Sequence, residues 1–447
     1  MLKALRLVRF KAFQDSKWID FKDITLLFGL NSSGKTSILN SLLLLKQSLQ
    51  NPALEVPVTF SFLADKRGVD LGNYEEVAYN HVANHDQPIE LHCKLDLSSS
   101  IGKKVKNLNT SEISFIIRFG FNKTKETNFI SGFSVMDSTS KNLLTLKRNP
   151  RNLNLGTYQS DVFDEITKAN IKTEWFNFLP VLKDEKFKDH PVKLLTDSIR
   201  ETLIDVFKSL SHIGPLRSEV ERFYQFAGEN PVEVGRYGED ALKILYLDRK
   251  DNSDDLTIKV NRWLEKYGYR FEWKSYNFGF QLILKDIASD IKVNIKDVGF
   301  GISQILPIIV QGYINKKQIV LIEQPEIHLH PKAQADLADM LIEMQRDTGK
   351  IFIVETHSEH LLLRLRRRIA ETTLNEENSD ECITNNEVAV HFIEKTKSES
   401  VVHQLNINEK GEFTHIPDAF HAFFSDDFAE SLKLSEAIAK INGKSKP

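Results

Sequence analysis

Gly29-Leu30-Asn31-Ser32-Ser33-Gly34-Lys35-Thr36 follows the apolar run Ile24-Thr25-Leu26-Leu27-Phe28 and opens onto Ser37-Ile38-Leu39-Asn40-Ser41-Leu42-Leu43-Leu44-Leu45. The octet fits G-x-x-x-x-G-K-[ST], and its surroundings read as strand, loop and helix start, the context that this motif requires. Consecutive backbone N–H groups at a helix N-terminus form a cradle for phosphate, and the helix dipole adds positive potential there. The expected contacts run from Asn31, Ser32, Ser33 and Gly34 through Lys35, Thr36 and Ser37. Lys35 would reach the β- and γ-phosphates, and the Thr36 hydroxyl would take a position on Mg²⁺.

A second half for this site lies far downstream. Gln318-Ile319-Val320-Leu321-Ile322-Glu323 is a short apolar run ending in an acid, as expected for a buried parallel strand carrying a Mg²⁺-side carboxylate. The length of chain between Lys35 and Glu323 implies a large insertion. Gln324-Pro325-Glu326-Ile327-His328-Leu329-His330-Pro331 follows, then a helix expected over Lys332 to Gln345, with Pro331 at its first position and Gly349 ending it. Another strand, Ile351 to Val354, delivers Glu355-Thr356-His357-Ser358. Ser358 is placed to cap the next helix, which leaves His357 at a strand's C-terminal edge, where open α/β sheets bind ligands. Upstream, Asp297-Val298-Gly299-Phe300-Gly301-Ile302-Ser303-Gln304 leads into a helix expected over Ile305 to Tyr313. It is a second glycine-bearing loop suited to a phosphate presented from outside.

At 447 residues the chain calls for two or three lobes, and 41% hydrophobic with 27% charged residues is the composition of a globular protein. A formal charge of −3 gives no overall attraction to nucleic acid, so contact with DNA or RNA would need a local basic patch. Cys93 and Cys382 form no disulfide framework and share no metal-ligand spacing, which suits a reducing cytoplasm. The apolar runs are too short for a membrane span, and the N-terminus opens on alternating strand residues rather than a signal peptide. A cytoplasmic location is expected.

Leu2 to Phe10 alternates as a half-buried strand, with Trp18 to Phe21 as its hairpin partner. Ile89 to Leu95, Glu112 to Phe119 and Leu143 to Leu146 alternate again between polar turns, predicting an antiparallel sheet beside the nucleotide site. Helices are expected over Ser160 to Asn177, Pro191 to Ser211, Glu239 to Tyr246 and Leu256 to Tyr267. Phe280 to Lys285 and Ile291 to Ile295 read as strands returning to the main sheet.

Taken together these motifs resemble the ABC-type ATPases of the SMC, RecF and OLD group. The wording is most similar to prokaryotic OLD-like ATPases: "NSSGKTS", "HIGPLR" at His212 to Arg217, "VGFGISQILP" at Val298 to Pro307, "EQPEIHLHP" at Glu323 to Pro331, and "ETHSEH" at Glu355 to His360. The resemblance implies an α/β fold: an ABC-type P-loop core with an antiparallel β lobe and an inserted helical arm. It divides the chain into an N-terminal ATPase half with β lobe (1–155), the arm (156–270), a C-terminal ATPase half (271–375) and a tail of strands and an aromatic-rich helix (376–447). It implies ATP and Mg²⁺ as ligands, with Thr36 and Glu323 on the metal. Gly301, Ser303 and Gln304 of one copy would complete the site of another, so a dimer or higher oligomer is expected. Relatives of this kind occur in antiphage operons such as Septu and PARIS and work beside a separate nuclease of HNH or TOPRIM type. A RecF-type DNA-repair ATPase that clamps DNA on ATP binding is the alternative.

Two departures stand out. The family's water-activating Glu is replaced by Gln324, and an amide cannot take a proton from water at neutral pH. Glu326 is either its replacement or a helix-start and outer-sphere residue. The second departure is that no TOPRIM nuclease domain of the OLD kind is expected in this chain. His357 is read as the switch histidine near the γ-phosphate. His328 and His330 are read as supporting or packing residues rather than metal ligands. Arg217 is either an ion-pair residue or a nucleotide-state sensor. Arg364, Arg366, Arg367 and Arg368 serve a helix C-terminus or meet nucleic acid or a partner, and Lys103, Lys104, Lys106, Lys147 and Arg148 are solvated turn residues or a DNA track. The pattern Phe420, Phe423, Phe424, Phe428, Leu432 and Leu434 packs on the core or docks a partner.

Overall fold

The computed structural model describes residues 1–51, 58–61, 68–82, 87–96, 110–122, 126–148, 155–159, 170–182, 187–188, 190–226, 228–250, 254–298, 300–314, 319–374 and 382–421. The first strands are β1 (Leu2–Phe10), β2 (Phe13–Asp15), β3 (Ile19–Asp20) and β4 (Ile24–Gly29), and helix α1 (Lys35–Gln50) follows the phosphate loop directly. A short helix, α2 (Tyr74–Val77), begins at a capping box in which Asn73 and Glu76 each accept a backbone N–H at the other's end. Next come β5 (Ile89–Asp96), β6 (Glu112–Asn122), β7 (Thr127–Asp137), β8 (Asn142–Arg148), β9 (Leu155–Gln159), β10 (Asn170–Phe176) and β11 (Leu179–Leu182). These pair antiparallel in the order β11-β10-β9-β8-β7-β6-β5-β1-β2, with β3 also on β1.

A six-stranded central sheet carries the site. It comprises β4, β12 (Leu210–Ile213), β17 (Ile319–Glu323), β18 (Ile351–Glu355), β19 (Val388–Lys395) and β20 (Ser400–Gln404), ordered β12-β17-β18-β4-β19-β20 and parallel except at β20. Strands of such a sheet are apolar on both faces. Leu27 and Leu321 accordingly enter a core beneath α1, helix α3 (Pro191–Lys208) and the antiparallel sheet. Leu26, Phe28, Val320 and Ile322 enter a second core. There they meet helices α4 (Ala241–Lys250), α5 (Asp255–Glu265), α6 (Phe300–Tyr313), α7 (Pro331–Thr348) and α8 (Glu359–Leu374).

The stretch expected as a helical arm is mixed. Its expected helix over Ser160 to Asn177 is, from Asn170 to Phe176, strand β10, paired with β9 and β11; residues 160–169 lie outside the described ones. Thr173 and Trp175 are residue types that favour a pleated surface, and pairing with β9 on one side and β11 on the other decides the conformation against the helical spacing. α3 packs on α1, and β12 is the edge of the central sheet rather than part of an appended arm.

Phe280 to Lys285 and Ile291 to Ile295 do not return to the main sheet either. With β13 (Tyr224–Gln225) and β14 (Tyr269–Tyr276), strands β15 (Gly279–Asp286) and β16 (Lys292–Asn294) make a separate antiparallel sheet. Phe280, Leu282 and Leu284 are buried while Gln281, Ile283 and Lys285 between and after them are not, the alternation of a one-faced sheet rather than of a buried parallel strand. Phe280 stacks on Tyr246 of α4 at 4.2 Å between ring centroids.

A last helix, α9 (Asp418–His421), carries Phe420 into the second core, edge-on to Phe392 and Phe413. Phe423, Phe424, Phe428, Leu432 and Leu434 lie outside the described residues, as do Lys103, Lys104 and Lys106. Among the described residues no helix is long and apolar enough to cross a membrane.

Candidate nucleotide-binding site

Two glycines make the loop after β4. A Cβ on Gly29 would collide with the carbonyl of Ile393 on β19, so only glycine lets the two strands approach there. Gly34 caps α1 at φ 106°, a left-handed conformation that turns the following N–H groups into the loop. The loop walls a cavity of about 290 Å³ lined by Lys11, Ala12, Asn31, Ser32, Ser33, Gly34, Lys35, Thr36, Ser37, Gln324 and Glu355. Every expected phosphate-loop residue is therefore gathered in one place. The Lys35 ammonium donates to the carbonyls of Gly29 at 2.8 Å and Leu30 at 2.9 Å, and burial lowers its pKa. The Ser33 hydroxyl is buried without a hydrogen-bond partner among the described residues.

Strand order fixes the acids. β18 lies between β4 and β17, and Glu323 and Glu355 are register partners at the ends of their strands. Glu355 is thus one strand from the phosphate loop and Glu323 two. The Thr36 hydroxyl lies 2.8 and 3.0 Å from the two Glu355 carboxylate oxygens. Burial pushes the Glu355 carboxyl up to about 7 against the Thr36 hydrogen bond, with Glu323 adding to the rise. Glu323 is instead hydrogen-bonded through Oε1 to Nε2 of His212 on β12 at 2.6 Å. His212 is buried, and burial lowers its pKa despite that partner.

The turn after β17 is strained and held on several sides. Gln324 has φ 43°, its N–H donates to the Glu355 carbonyl at 2.7 Å, and it lines the phosphate-loop cavity. Arg217 donates from Nη2 to the Glu323 carbonyl at 2.9 Å and the Gln324 carbonyl at 3.4 Å. It binds the backbone of the turn, and burial lowers its pKa to about 10 while Glu326 and Glu323 oppose. Glu326 accepts the His357 N–H at 2.6 Å and the Thr356 hydroxyl at 2.8 Å. Burial raises the pKa of Glu326. His357 is lowered to about 4, by burial first and the Lys35 charge second, so it is neutral at pH 7. Ser358 caps α8 by accepting the Leu361 N–H at 3.2 Å, as its position in the sequence suggested.

Gly301, Ser303 and Gln304 are not brought to the phosphate loop of their own chain. Helix α6 starts at Phe300, earlier than Ile305, so all three sit in its first turns; Gly299 lies outside the described residues. Gly301 lines a separate cavity of about 660 Å³ with Trp263, Ile302, His328, His330 and Met340. Ser303 lines a third, with Glu219, Glu239 and Pro307. His330 caps α7 through Nδ1, which accepts the Lys332 N–H, and no cluster of three metal-ligating side chains exists among the described residues.

The arginine run is spent inside the molecule. Arg364 and Arg368 both donate to the buried Asp339 carboxylate of α7, at 2.7 and 2.8 Å. Arg366 donates to the Gly411 carbonyl and lies over the Phe413 ring, and Arg367 pairs with Glu371. Arg148 lies over the Trp175 ring.

Glu355 has no expected role from the sequence, where the acid ending Gln318 to Glu323 stands out instead. The signal that could have found it was the repeat of the same pattern, an apolar pentad ending in Glu, at Ile351 to Glu355.

Over residues 24–364 the chain matches the family described as "AAA domain, putative AbiEii toxin, Type IV TA system", and it belongs to that family. It is similar to the cell division ATP-binding protein FtsE of Mycobacterium tuberculosis, 29% identical over 66 residues, which are 15% of this chain and 28% of that protein. Among solved structures it is similar to the SMC head domain from Thermotoga maritima, with 12% identity, a TM-score of 0.40, and coverage of 91% of this chain and 99% of that one. It is also similar to an Smc head bound to the C-winged helix domain of ScpA, with 12% identity, a TM-score of 0.47, and coverage of 91% and 98%.

Proposed function

We propose that this member of the AAA-domain family is an ATP-binding subunit that keeps its nucleotide and hydrolyses it slowly. On this reading it is an oligomeric, nucleotide-loaded sensor or scaffold of a bacterial antiphage system, and it regulates a separate nuclease subunit. The observation that carries the slow turnover is Gln324, an amide lining the phosphate-loop cavity where a general base would stand. General-base help is worth about 10²–10⁴-fold, and both Glu326 oxygens are already taken by Thr356 and His357.

The residues fit the ligand. The loop presents backbone donors at a helix N-terminus, the orphaned Ser33 hydroxyl and the Lys35 ammonium, which would leave the two carbonyls for the phosphates. Mg²⁺, when bound, neutralises phosphate charge; it would sit at the Thr36 hydroxyl beside the acids ending β17 and β18. The position of Gly301, Ser303 and Gln304 away from their own phosphate loop supports a site closed by a second copy. The antiphage role and the nuclease partner are supported by the motif wording at Val298 to Pro307 and Glu323 to Pro331.

Single-turnover hydrolysis of labelled ATP tests the reading. Bound ATP should persist for many minutes, far below the ~10 s⁻¹ of a median enzyme, and Lys35→Ala should abolish ATP binding in isothermal titration. Brisk wild-type hydrolysis, or unchanged affinity in Lys35→Ala, would defeat it.

A further inference from the structure

We propose that Glu355, the last residue of β18, is the carboxylate that directly holds the divalent cation of the bound nucleotide, with Glu323 a positioning residue behind it. The inference rests on the ATP reading above and deepens it. Neighbouring strands lie about 4.8 Å apart, and the sheet order places Glu355 on the strand next to β4 and Glu323 one strand further. Glu355 and Thr36 wall the same cavity and already touch. Glu323 turns Oε1 to His212, and its carbonyl is taken by Arg217. The Ser33 hydroxyl, wholly buried and without a partner among the described residues, belongs to the wall of that same cavity. The cavity wall therefore carries the Glu355 carboxylate, the Thr36 hydroxyl that touches it, and the partnerless Ser33 hydroxyl.

The chemistry suits a small hard cation. Mg²⁺ takes oxygen ligands, usually one or two carboxylates together with phosphate oxygens and waters. Thr36 can keep its proton donated to Glu355 while a lone pair of its oxygen faces the metal. The Thr36–Glu355 contact then survives cation binding and fixes the orientation of both ligands. His212 acts one step back: it holds Glu323 in place, and its loss would act through Glu323 rather than on the cation.

Nucleotide affinity measured with and without a cation separates this role from a mere hydrogen-bond acceptor for Thr36. The full chain is titrated with ATP in EDTA and then with Mn²⁺, whose bound fraction is read by electron paramagnetic resonance. Wild type and Glu355→Gln should bind ATP alike in EDTA. Mn²⁺ should tighten wild type, and Glu355→Gln should lose at least about tenfold of that tightening and of Mn²⁺ affinity, the scale expected around a metal site. Glu355→Asp, which keeps the charge, should recover part of the loss, and Glu323→Gln, one step behind the cation, should lose less of the tightening than Glu355→Gln does. Full cation-dependent tightening in Glu355→Gln, or its loss in Glu323→Gln alone, would overturn the proposal. Failure of wild type to bind ATP at all would instead strike the underlying ATP reading.

Discussion

Glu326 accepts the backbone N–H of His357 at 2.6 Å, which fastens the turn after β17 to the end of β18. An acid so engaged holds two loops in register and is poorly placed to take a proton from water. Gln324→Glu should therefore raise the single-turnover rate of ATP hydrolysis by about 10²-fold, the lower range for a positioned base. Glu326→Gln should change that rate less than tenfold while lowering thermal stability. A wild-type rate that collapses in Glu326→Gln would make Glu326 the base.

Arg217 binds two carbonyls of the strained turn and, among the described residues, forms no hydrogen bond to a carboxylate. Arg217→Ala should cost about 2 kcal/mol of stability, as for a hydrogen bond made by a charged group. ATP affinity should stay within twofold of wild type, and Arg217→Lys should recover part of the stability, because both carbonyls are met by the single nitrogen Nη2 and an ammonium can also donate to two acceptors. Denaturant melts beside ATP titrations check this. A large loss of affinity with unchanged stability would mark a nucleotide sensor.

Lys350 is fully buried, donates to the Gln311 carbonyl at 2.5 Å, and is lowered to about 7 from 10.5 by burial and, less, by Lys259. Between those two values the unfolded chain holds a proton that the folded chain has released. Stability should therefore rise with pH from about 7 upward through this group, while below 7 the buried charge is carried in full. Lys350→Met should be more stable than wild type at pH 6, with the gap narrowing by pH 9. Urea unfolding at both values measures it, and a gap that widens with pH would contradict the assignment.

Asp339 serves two arginines of α8 at once. Asp339→Ala should cost about 3 kcal/mol, as expected when one partner of a largely buried ion pair is removed. Arg367→Ala, whose side chain is mostly exposed, should cost under about 0.5 kcal/mol. Thermal melts of both variants compare them. Salt-dependent DNA binding that falls in Arg364→Ala without loss of stability would return the run to nucleic-acid contact.

The phosphate loop, the strand before it, the helix after it and the helices α7 and α8 were legible because each combines strong apolar patterning with a start or stop signal: Gly34, Pro331, Gly349, Ser358. The stretch from 156 to 298 was less so. β10 spans Asn170 to Phe176, too short for its alternation to win over helical spacing, and β15 and β16 carry no local mark of which sheet they join. The strand order, with β18 between β4 and β17, which sets Glu355 rather than Glu323 against Thr36, is a tertiary fact. No pattern within either strand contains it.

Both neighbours of β4 arrive late. β18 ends at Glu355 and β19 spans Val388 to Lys395, so the strand bearing the phosphate loop has no sheet partner until most of the chain exists. On a ribosome, where earlier segments emerge first at about 5–20 residues per second, the loop waits for its walls. Nucleotide cannot nucleate folding from the front; it can only reward a finished product. A message broken before codon 388 would yield a protein with β4 exposed along one edge, prone to pair with another chain rather than to load ATP.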